Sequence, residues 1–292
     1  AACGSDSTEE TEGTDGTEAE TVDYTAMSDD ELKAAITTVS EGTLTVATSP
    51  DFAPYEFYAI GEDGQATLAG FEMSLAQYIA DYLGLELEVV PMDFDGTLME
   101  LQNKSVDLGM AGYSPKPERE NIMDFSDIFY TGGQSFVTTQ DKADLFASLE
   151  DTNKAEYSIG AQTGSIQVDL AQTNSPDAEL IQLPKVTDVI TDLLAGNLDG
   201  AYIETVVAET YAKNYPELNV LLDVPYEQEG SVVGVSKGNA ALLEGVNRAI
   251  AAVLEDGTMD EFITQANELA SGETYEGLLD ENGQVAETPA EG

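Results

Sequence analysis

The 292-residue chain contains no histidine and a single cysteine, Cys3. Without these residues, Ser-His-Asp and Cys-His nucleophilic systems cannot form, and neither can zinc sites built on histidine or on paired cysteines. An internal disulfide is excluded as well, so the cores must hold together without a covalent cross-link. The chemistry left to the chain is that of carboxylates, hydroxyls, lysines and two arginines, Arg119 and Arg248.

Basic residues are also scarce, because 57 Asp and Glu residues stand against only 10 Lys and Arg residues, a net charge of −47. Nucleic acids and anionic bilayers are bound through clustered Lys and Arg, so we expect the chain to bind neither through its own surface. No run of about 18 apolar residues is present, and the sequence therefore predicts no membrane-spanning segment. The hydrophobic content of 42% is sufficient for cores in two lobes of about 100 residues each.

The N-terminal residues 4–27 are rich in Ser, Thr, Gly and acidic residues and contain no Lys or Arg. This composition predicts a disordered, extended tether. The preceding Ala1-Ala2-Cys3-Gly4 resembles the cleavage site of bacterial lipoproteins, in which a signal peptide is removed and the cysteine carries lipid. A stray cysteine in a disordered tail is the alternative interpretation.

From residue 28 onwards the apolar pattern alternates between strands and helices. Ser28 and Glu31 form a capping box that predicts a short helix to about Val39. Further strands are expected at 44–48, 85–90, 106–110, 157–161 and 201–203, and helices at 71–83, from about 165, at 186–194 and at 242–254. This order predicts an α/β architecture with mostly parallel sheets.

Two α/β stretches follow one another, and two short segments look like crossings between them. Gly132 and Gly133 lie between apolar segments, and a second candidate crossing spans 225–231. The expected organisation is lobe 1 from 28–131 plus 231–270, lobe 2 from 132–230 with crossings near 131–135 and 225–231, and an acidic C-terminal tail at 271–292. A chain that leaves one lobe, builds a second and returns would place a ligand cleft between them.

A series of motifs resembles the family 3 extracellular solute-binding proteins, over about residues 44–270. In order, these motifs are Thr48-Ser49-Pro50-Asp51-Phe52-Ala53-Pro54-Tyr55-Glu56-Phe57, Gly70-Phe71-Glu72, Pro91-Met92-Asp93-Phe94-Asp95-Gly96, Val106-Asp107-Leu108-Gly109-Met110-Ala111-Gly112, Pro117-Glu118-Arg119, Gly160-Ala161-Gln162-Thr163-Gly164-Ser165 and Leu198-Asp199-Gly200-Ala201. The resemblance implies a two-lobed fold of the type II periplasmic-binding-protein class, which closes on one small ligand. It also implies an amino-acid receptor of an ABC importer rather than an enzyme.

A free amino acid requires a cation for its carboxylate, and Arg119 matches the family arginine with that role. A guanidinium can bind a carboxylate with two parallel hydrogen bonds. Ala111, Gly112 and Ser114 lie between the preceding strand and this arginine, where backbone and hydroxyl can approach the ligand. Across the cleft, Ser165 opens a helix whose free N–H groups can hold the same carboxylate, although Ile166 stands where relatives often have a second hydroxyl.

The ammonium group requires an anion, and Glu204 follows a strand at the position where relatives carry Asp or Glu. The alternative is a carboxylate that only caps a helix. Phe52 and Phe94 match family positions that wall the ligand, unless both are ordinary core residues. Tyr113 and Gln162 complete the expected lining.

The ligand itself is less sharply defined by the motifs. Ser49 stands where related glutamine- and lysine/arginine/ornithine-binding proteins use Asp to hold the ligand side chain. We therefore expect a neutral polar or aromatic amino acid, with a basic one as the second choice. No cofactor and no metal are expected, the protein should be a monomer that docks on permease subunits, and lipid on Cys3 should hold it outside the cell membrane of a Gram-positive bacterium.

Three other functions fit part of the sequence. Asp93-Phe94-Asp95-Gly96-Thr97 resembles the nucleophile motif of haloacid-dehalogenase-type phosphatases, but the later Lys and acidic cluster of that class have no convincing match. Some solute-binding relatives are cyclohexadienyl or arogenate dehydratases, and a sensory receptor lobe would share the same fold. A dehydratase needs a general acid in the cleft, which Gln162 does not supply.

Overall fold

A computed structural model describes residues 21–227 and 230–285 of the chain. Cys3, with its predicted lipid, and residues 4–20 of the predicted tether lie outside these ranges. Within them, no helix combines the length and the apolar character needed to cross a membrane.

The described residues form thirteen strands, which are arranged in two five-stranded sheets and one small three-stranded sheet. The strands are β1 Thr43–Thr48, β2 Phe57–Ile60, β3 Ala66–Ala69, β4 Glu86–Pro91, β5 Leu108–Tyr113, β6 Met123–Phe125, β7 Gln134–Thr139, β8 Ser158–Gln162, β9 Glu179–Leu183, β10 Gly200–Glu204, β11 Leu218–Val224, β12 Val232–Ser236 and β13 Thr274–Tyr275.

Both large sheets are mixed, with four of the five strands in each running in the same direction, so the mostly parallel sheets predicted from the sequence are confirmed. Sheet 1 has the order β4-β1-β5-β12-β6, in which the first two pairings are parallel and the last two are antiparallel. Sheet 2 has the order β11-β7-β10-β8-β9, with two antiparallel and two parallel pairings. The α/β fold class is confirmed. All antiparallel pairings in these sheets are made by β12 and by β7, each of which is the first strand after the chain passes from one sheet to the other.

The described ranges contain eight α-helices. They are α1 Asp29–Ala35, α2 Phe71–Leu83, α3 Phe94–Gln102, α4 Ile166–Asn174, α5 Val186–Leu194, α6 Thr205–Asn214, α7 Ala240–Glu255 and α8 Thr258–Ala270. Helices α2 and α3 pack with sheet 1, α7 packs on α2, and α4, α5 and α6 pack with sheet 2. We call sheet 1 with its helices lobe 1, and sheet 2 with its helices lobe 2. The chain passes from one to the other between β6 and β7 and returns between β11 and β12.

The first helix shows how local chemistry sets its bounds. Ser28 and Glu31 make the expected capping box at its start. The helix ends at Ala35 rather than near Val39, and Val39 instead donates its N–H to the Asp107 carboxylate at 2.8 Å. The β-branched residues that follow Ala35 favour this extended backbone over another helical turn.

Apolar helix faces pack on the sheets and form the cores. In lobe 1, fully buried Leu75 and Ile79 of α2 and Val246 and Ile250 of α7 belong to the same cluster as Val46 of β1. Burial of such side chains is worth about 1.5–3 kcal/mol each. The cores position the ends of the strands, and these ends carry the polar residues of the cleft.

The segment from Ser271, expected as an acidic tail, is partly built into the fold. Strand β13 pairs with β2, and the N–H of Gly277 donates to the carbonyl oxygen of Pro50 at 3.0 Å. Between them, the Glu276 carboxylate accepts a hydrogen bond from the hydroxyl of Tyr211 on α6. The described part of this segment therefore connects lobe 1 with lobe 2.

Arg248 ties the N-terminal segment to α7. Its guanidinium donates to the Asp29 carboxylate at 2.8 Å, to Glu244 at 2.9 Å and to the carbonyl oxygen of Met27 at 2.8 Å. The last residues of the predicted tether are thus fixed against lobe 1.

Candidate functional site

A cavity of about 610 Å³ lies between the two large sheets. The lining residues are Phe52, Tyr55, Phe94, Ala111, Gly112, Ser114, Arg119, Gly132, Gly133, Gln134, Gln162, Ser165, Ile166, Gln167, Glu204, Val224, Tyr226, Gly230 and Ser231. All residues predicted for the site from the sequence are among them, except Ser49 and Tyr113.

Arg119 brings a buried positive charge to the lobe 1 side of the cavity. It lies on a short 3-10 turn and is 5% exposed, and burial lowers the pKa of its guanidinium. It donates to the carbonyl oxygen of Ser114 at 3.0 Å and, across the cleft, to that of Gly164 at 3.2 Å. These two bonds leave further N–H groups of the guanidinium for a bound anion, because arginine has five.

The N-terminus of α4 faces the same cavity from lobe 2. Ser165 precedes the helix, but its hydroxyl donates to the Gln162 carbonyl oxygen at 2.7 Å and does not cap the helix. The first N–H groups of α4 therefore keep their capacity to bind an anion beside Arg119. Ile166, in place of a second hydroxyl, is buried and lines the cavity.

Glu204 supplies a buried negative charge from lobe 2. It ends β10 and is 5% exposed. One carboxylate oxygen accepts from the Val207 N–H at 3.0 Å, and the other has no partner among the described residues. Burial raises the pKa of Glu204 to about 8, while the hydrogen bond from Val207 acts in the opposite direction. Gly132 is needed beside it, because a Cβ there would lie 2.4 Å from the Glu204 Oε1 atom.

Phe52 and Phe94 both line the cavity, as predicted. The Arg119 guanidinium lies 5.6 Å from the centre of the Phe94 ring, which favours the cation electrostatically. Phe52 packs over Gly112, which has a φ of +66°, and a Cβ at that position would lie 2.5 Å from the Phe52 ring, so a side chain there is disfavoured. The two rings provide apolar surface on the lobe 1 side of the cleft.

Three glutamine side chains line the lobe 2 side. Gln162 donates its amide N–H groups to the Asp51 carboxylate at 3.0 Å and to the Pro184 carbonyl oxygen at 3.2 Å. Gln167 donates to the amide oxygen of Gln134 at 2.7 Å. The sequence motifs indicated Gln162, but not Gln134 or Gln167.

Ser49 and Tyr113 do not reach the cavity. Ser49 is buried beneath it, and the Tyr113 hydroxyl donates to Thr97 at 2.6 Å inside lobe 1. The centre of the Tyr113 ring lies 5.7 Å from the Arg119 guanidinium, within the range of a cation–π interaction. Tyr113 instead packs in the core of lobe 1, in one cluster with Leu101 and Met123.

Two buried carboxyl groups of lobe 1 lie behind the cavity wall. Glu72 accepts the N–H of Gly112 at 2.9 Å, and neighbouring Glu56 is fully buried. Burial raises the pKa of both groups, and for Glu56 the nearby Glu72 adds to the effect. Glu72 thereby fixes the backbone of the Gly112 segment, which borders the ligand space.

Asp51 is the main residue near the site that sequence reasoning missed. It is buried in lobe 1 and accepts hydrogen bonds from two groups of lobe 2, Gln162 and the Val186 N–H. Burial raises the pKa of Asp51 to about 6. The only signal in the sequence was an Asp displaced by two positions from the expected one at 49.

Comparisons with known proteins establish the family. Residues 44–266 match the family described as bacterial extracellular solute-binding proteins, family 3. The chain is similar to the arginine-binding extracellular protein ArtP of Bacillus subtilis, with 32% identity over 222 residues, which are 75% of this chain and 83% of ArtP. It is more distantly similar to a cyclohexadienyl dehydratase of Pseudomonas aeruginosa, at 26% identity over 62% of this chain and 66% of that protein.

A solved structure is similar in fold along most of the chain. It is the amino acid ABC transporter substrate-binding protein AbpA of Streptococcus pneumoniae bound to L-arginine, with a TM-score of 0.76 and 31% identity, covering 84% of this chain and 100% of that one. The two-lobed fold and the family predicted from the motifs are thereby confirmed. The chain belongs to family 3 of the bacterial extracellular solute-binding proteins.

Proposed function

We propose that the protein captures one free L-amino acid in the cleft between its lobes and delivers it to an ABC importer. The observation that carries this proposal is the pair of opposite charges on opposite walls of one cavity. Arg119 belongs to lobe 1 and Glu204 to lobe 2, and each is 5% exposed. A zwitterion supplies a counter-charge to both.

Each group of the ligand has a partner in this arrangement. The carboxylate would bind Arg119 and the first N–H groups of α4, with Ser114 beside them. The ammonium would bind the Glu204 oxygen that has no partner among the described residues. The side chain would lie against Phe52 and Phe94.

We propose arginine as the preferred ligand, ahead of the neutral polar or aromatic amino acid that the motifs favoured. The carboxyl groups of Asp51, Glu56, Glu72 and Glu204 are all buried in or around the site, and Arg119 is the buried cation among them. A ligand with an additional positive charge would favour the ionised forms of these groups, whose pKa values burial raises. A planar guanidinium can also stack on the aromatic wall. ArtP and AbpA, which bind arginine according to their descriptions, support the choice.

Delivery would depend on closure of the two lobes. Contacts from both lobes to one ligand stabilise the closed state over the open state. The crossings near 131–135 and 225–231 are the proposed hinges. We place the lobes at 28–131 plus 231–270 and at 132–230, and we expect a monomer that meets the permease subunits in its closed form.

We propose a receptor rather than an enzyme, although the dehydratase relative shares the fold. Glu204 is the one carboxyl group among the lining residues, and our account uses its anionic form for ligand binding. Prolonged incubation with arginine, followed by mass spectrometry, should recover the ligand unchanged. Release of a modified product would establish an enzyme instead.

Calorimetry against the twenty amino acids tests the proposal most simply. We expect one ligand class to bind with micromolar or tighter affinity, about −8 kcal/mol or better. Binding no stronger than millimolar for all twenty would contradict it.

If lipid on Cys3 anchors the protein, Cys3→Ala should be released into the medium with full ligand affinity.

A further inference from the structure

Asp51 touches Gln162 across the cleft but does not line the cavity itself. The same carboxylate oxygen accepts from the Val186 N–H at 2.8 Å and from the Gln162 amide at 3.0 Å. Val186 is the first residue of α5, so the carboxylate also lies at the positive end of a helix dipole. All three residues are buried.

These contacts determine which way the Gln162 amide points. An amide nitrogen has two N–H donors, and both are used, one by Asp51 and one by the Pro184 carbonyl oxygen at 3.2 Å. Both partners can only accept hydrogen bonds when Asp51 is ionised. A flipped amide would place its oxygen against two other oxygens, which is strongly unfavourable.

These two hydrogen bonds do not involve the oxygen of the Gln162 amide. It accepts no hydrogen bond from the residues in the described ranges, while Gln162 borders both the main cavity and a smaller one of about 210 Å³ that continues past Phe52. A ligand side chain beside Gln162 therefore meets a hydrogen-bond acceptor held in a fixed orientation.

We infer that Asp51 is a positioning residue for ligand specificity, which turns the Gln162 carbonyl oxygen toward the ligand side chain. The site then selects amino acids whose side chains donate hydrogen bonds, such as arginine, lysine or glutamine, over side chains that only accept them or are apolar. This inference rests on the proposed capture of an amino acid and goes beyond it by naming what sets the choice.

The test compares ligands that differ in the donor group. L-Glutamine and L-methionine sulfoxide are similar in length and both neutral, but the sulfoxide has a methyl group where glutamine has its NH₂. L-Arginine and L-norleucine form a second pair. Calorimetric affinities for both pairs should favour the donor by about tenfold to a hundredfold in the unaltered protein.

Three variants distinguish orientation of the Gln162 amide by Asp51 from a role of Asp51 in lobe closure alone. Gln162→Leu removes the acceptor and should reduce the preference for glutamine over the sulfoxide to about threefold or less. Asp51→Ala, or Asp51→Val if the alanine variant does not fold, should reduce the preference similarly, because the amide is free to rotate. Asp51→Asn keeps an acceptor oxygen and should retain most of the preference. In the Gln162→Leu background, adding Asp51→Ala should cause no further loss of preference.

The outcomes are distinct. If Asp51 acted only in closure, Asp51→Ala would weaken all four ligands equally and leave the ratios unchanged, which would overturn the inference. A ratio near one in the unaltered protein would overturn it too, while leaving amino-acid capture intact. Failure of all twenty amino acids to bind would instead overturn the proposed function itself.

Discussion

The two lobes contain sheets of the same design but contribute opposite charges to the cleft. Each sheet has four strands that run in the same direction and one strand, β12 in lobe 1 and β7 in lobe 2, that runs against them. In both lobes the site residues lie at or after strand ends. Lobe 1 supplies Arg119 and the aromatic wall, whereas lobe 2 supplies Glu204 and the free end of α4.

This difference shows why neither lobe alone makes a good binding site. A buried charge without a partner is costly, and burial lowers the pKa of Arg119 and raises that of Glu204 accordingly. A zwitterion compensates both charges at once, but only when the lobes are together. The comparison therefore predicts that removing either charge weakens binding and that the lobe 1 cation matters most.

The largest effect is expected for Arg119. Arg119→Lys and Arg119→Ala should weaken amino-acid binding by about a hundredfold or more, because the ligand carboxylate loses its bidentate guanidinium partner. The melting temperature without ligand should change little. Calorimetry and thermal denaturation measure the two properties.

Arg248→Lys is the matched control, since Arg248 is the other arginine of the chain and lies away from the cavity. It should bind normally. Normal binding by the Arg119 variants, or their failure to fold, would contradict the assignment of Arg119 as the carboxylate partner.

Glu204 should give the next largest effect and a pH signature. Because the pKa of Glu204 is about 8, its carboxyl group is mostly protonated at pH 6 when no ligand is bound. Binding of the ligand ammonium to the carboxylate must therefore release a proton. Affinity should therefore rise as the pH increases from 6 to 8, by up to about tenfold per unit. Glu204→Gln should weaken binding about tenfold or more at pH 8 and remove this dependence.

Glu276→Gln is the control for that experiment. Burial also raises the pKa of Glu276 to about 8, but Glu276 does not line the cavity. The variant should keep the rise of affinity with pH. If it lost the rise while Glu204→Gln kept it, the proton released on binding would come from outside the cleft.

Stability without ligand should depend on pH in the opposite sense to binding. The pKa values of Asp51, Glu204 and Glu276 are raised in the folded protein, to about 6, 8 and 8. Groups with raised pKa values bind more protons when folded, so their contribution is complete below about pH 4 and is lost as the pH rises through 6 to 8. Thermal denaturation should show a melting temperature that falls over this range and falls less in Glu204→Gln. A melting temperature that rises with pH would contradict the burial of these groups.

The smallest effect is expected where the lobes meet near the surface. Lys116 of lobe 1 pairs with Asp169 of lobe 2 at 2.6 Å, but both side chains are partly exposed. Such pairs contribute about 0–1 kcal/mol. Lys116→Ala should change ligand affinity by less than about fivefold, and the effect should shrink further in high salt. A loss as large as that for Arg119→Lys would mean that surface charge, rather than the buried pair, controls closure.

Local sequence patterns predicted the parts of the site that local structure creates. Arg119, Phe52 and Phe94 could be located from motifs, since each lies in a short segment next to a strand or helix end. Asp51 could not, because its role depends on contacts with Gln162 and Val186 of the other lobe.

The ends of the ordered chain were also difficult to predict, for the same physical reason. Acidic composition alone indicated a tail after Ser271, yet β13 completes a sheet begun by β2 more than two hundred residues earlier. Asp29 and Met27, two of the partners of Arg248, likewise lie about 220 residues away in sequence. Contacts between residues this far apart in sequence cannot be predicted from composition.

Small-angle scattering tests the central claim, that one zwitterion bridges the two charged walls and closes the lobes. The radius of gyration should decrease when arginine is added. It should not decrease with agmatine, which is arginine without its carboxylate, or with arginine added to Arg119→Lys. A radius unchanged by arginine at saturating concentration, or an equal decrease with agmatine, would contradict the account.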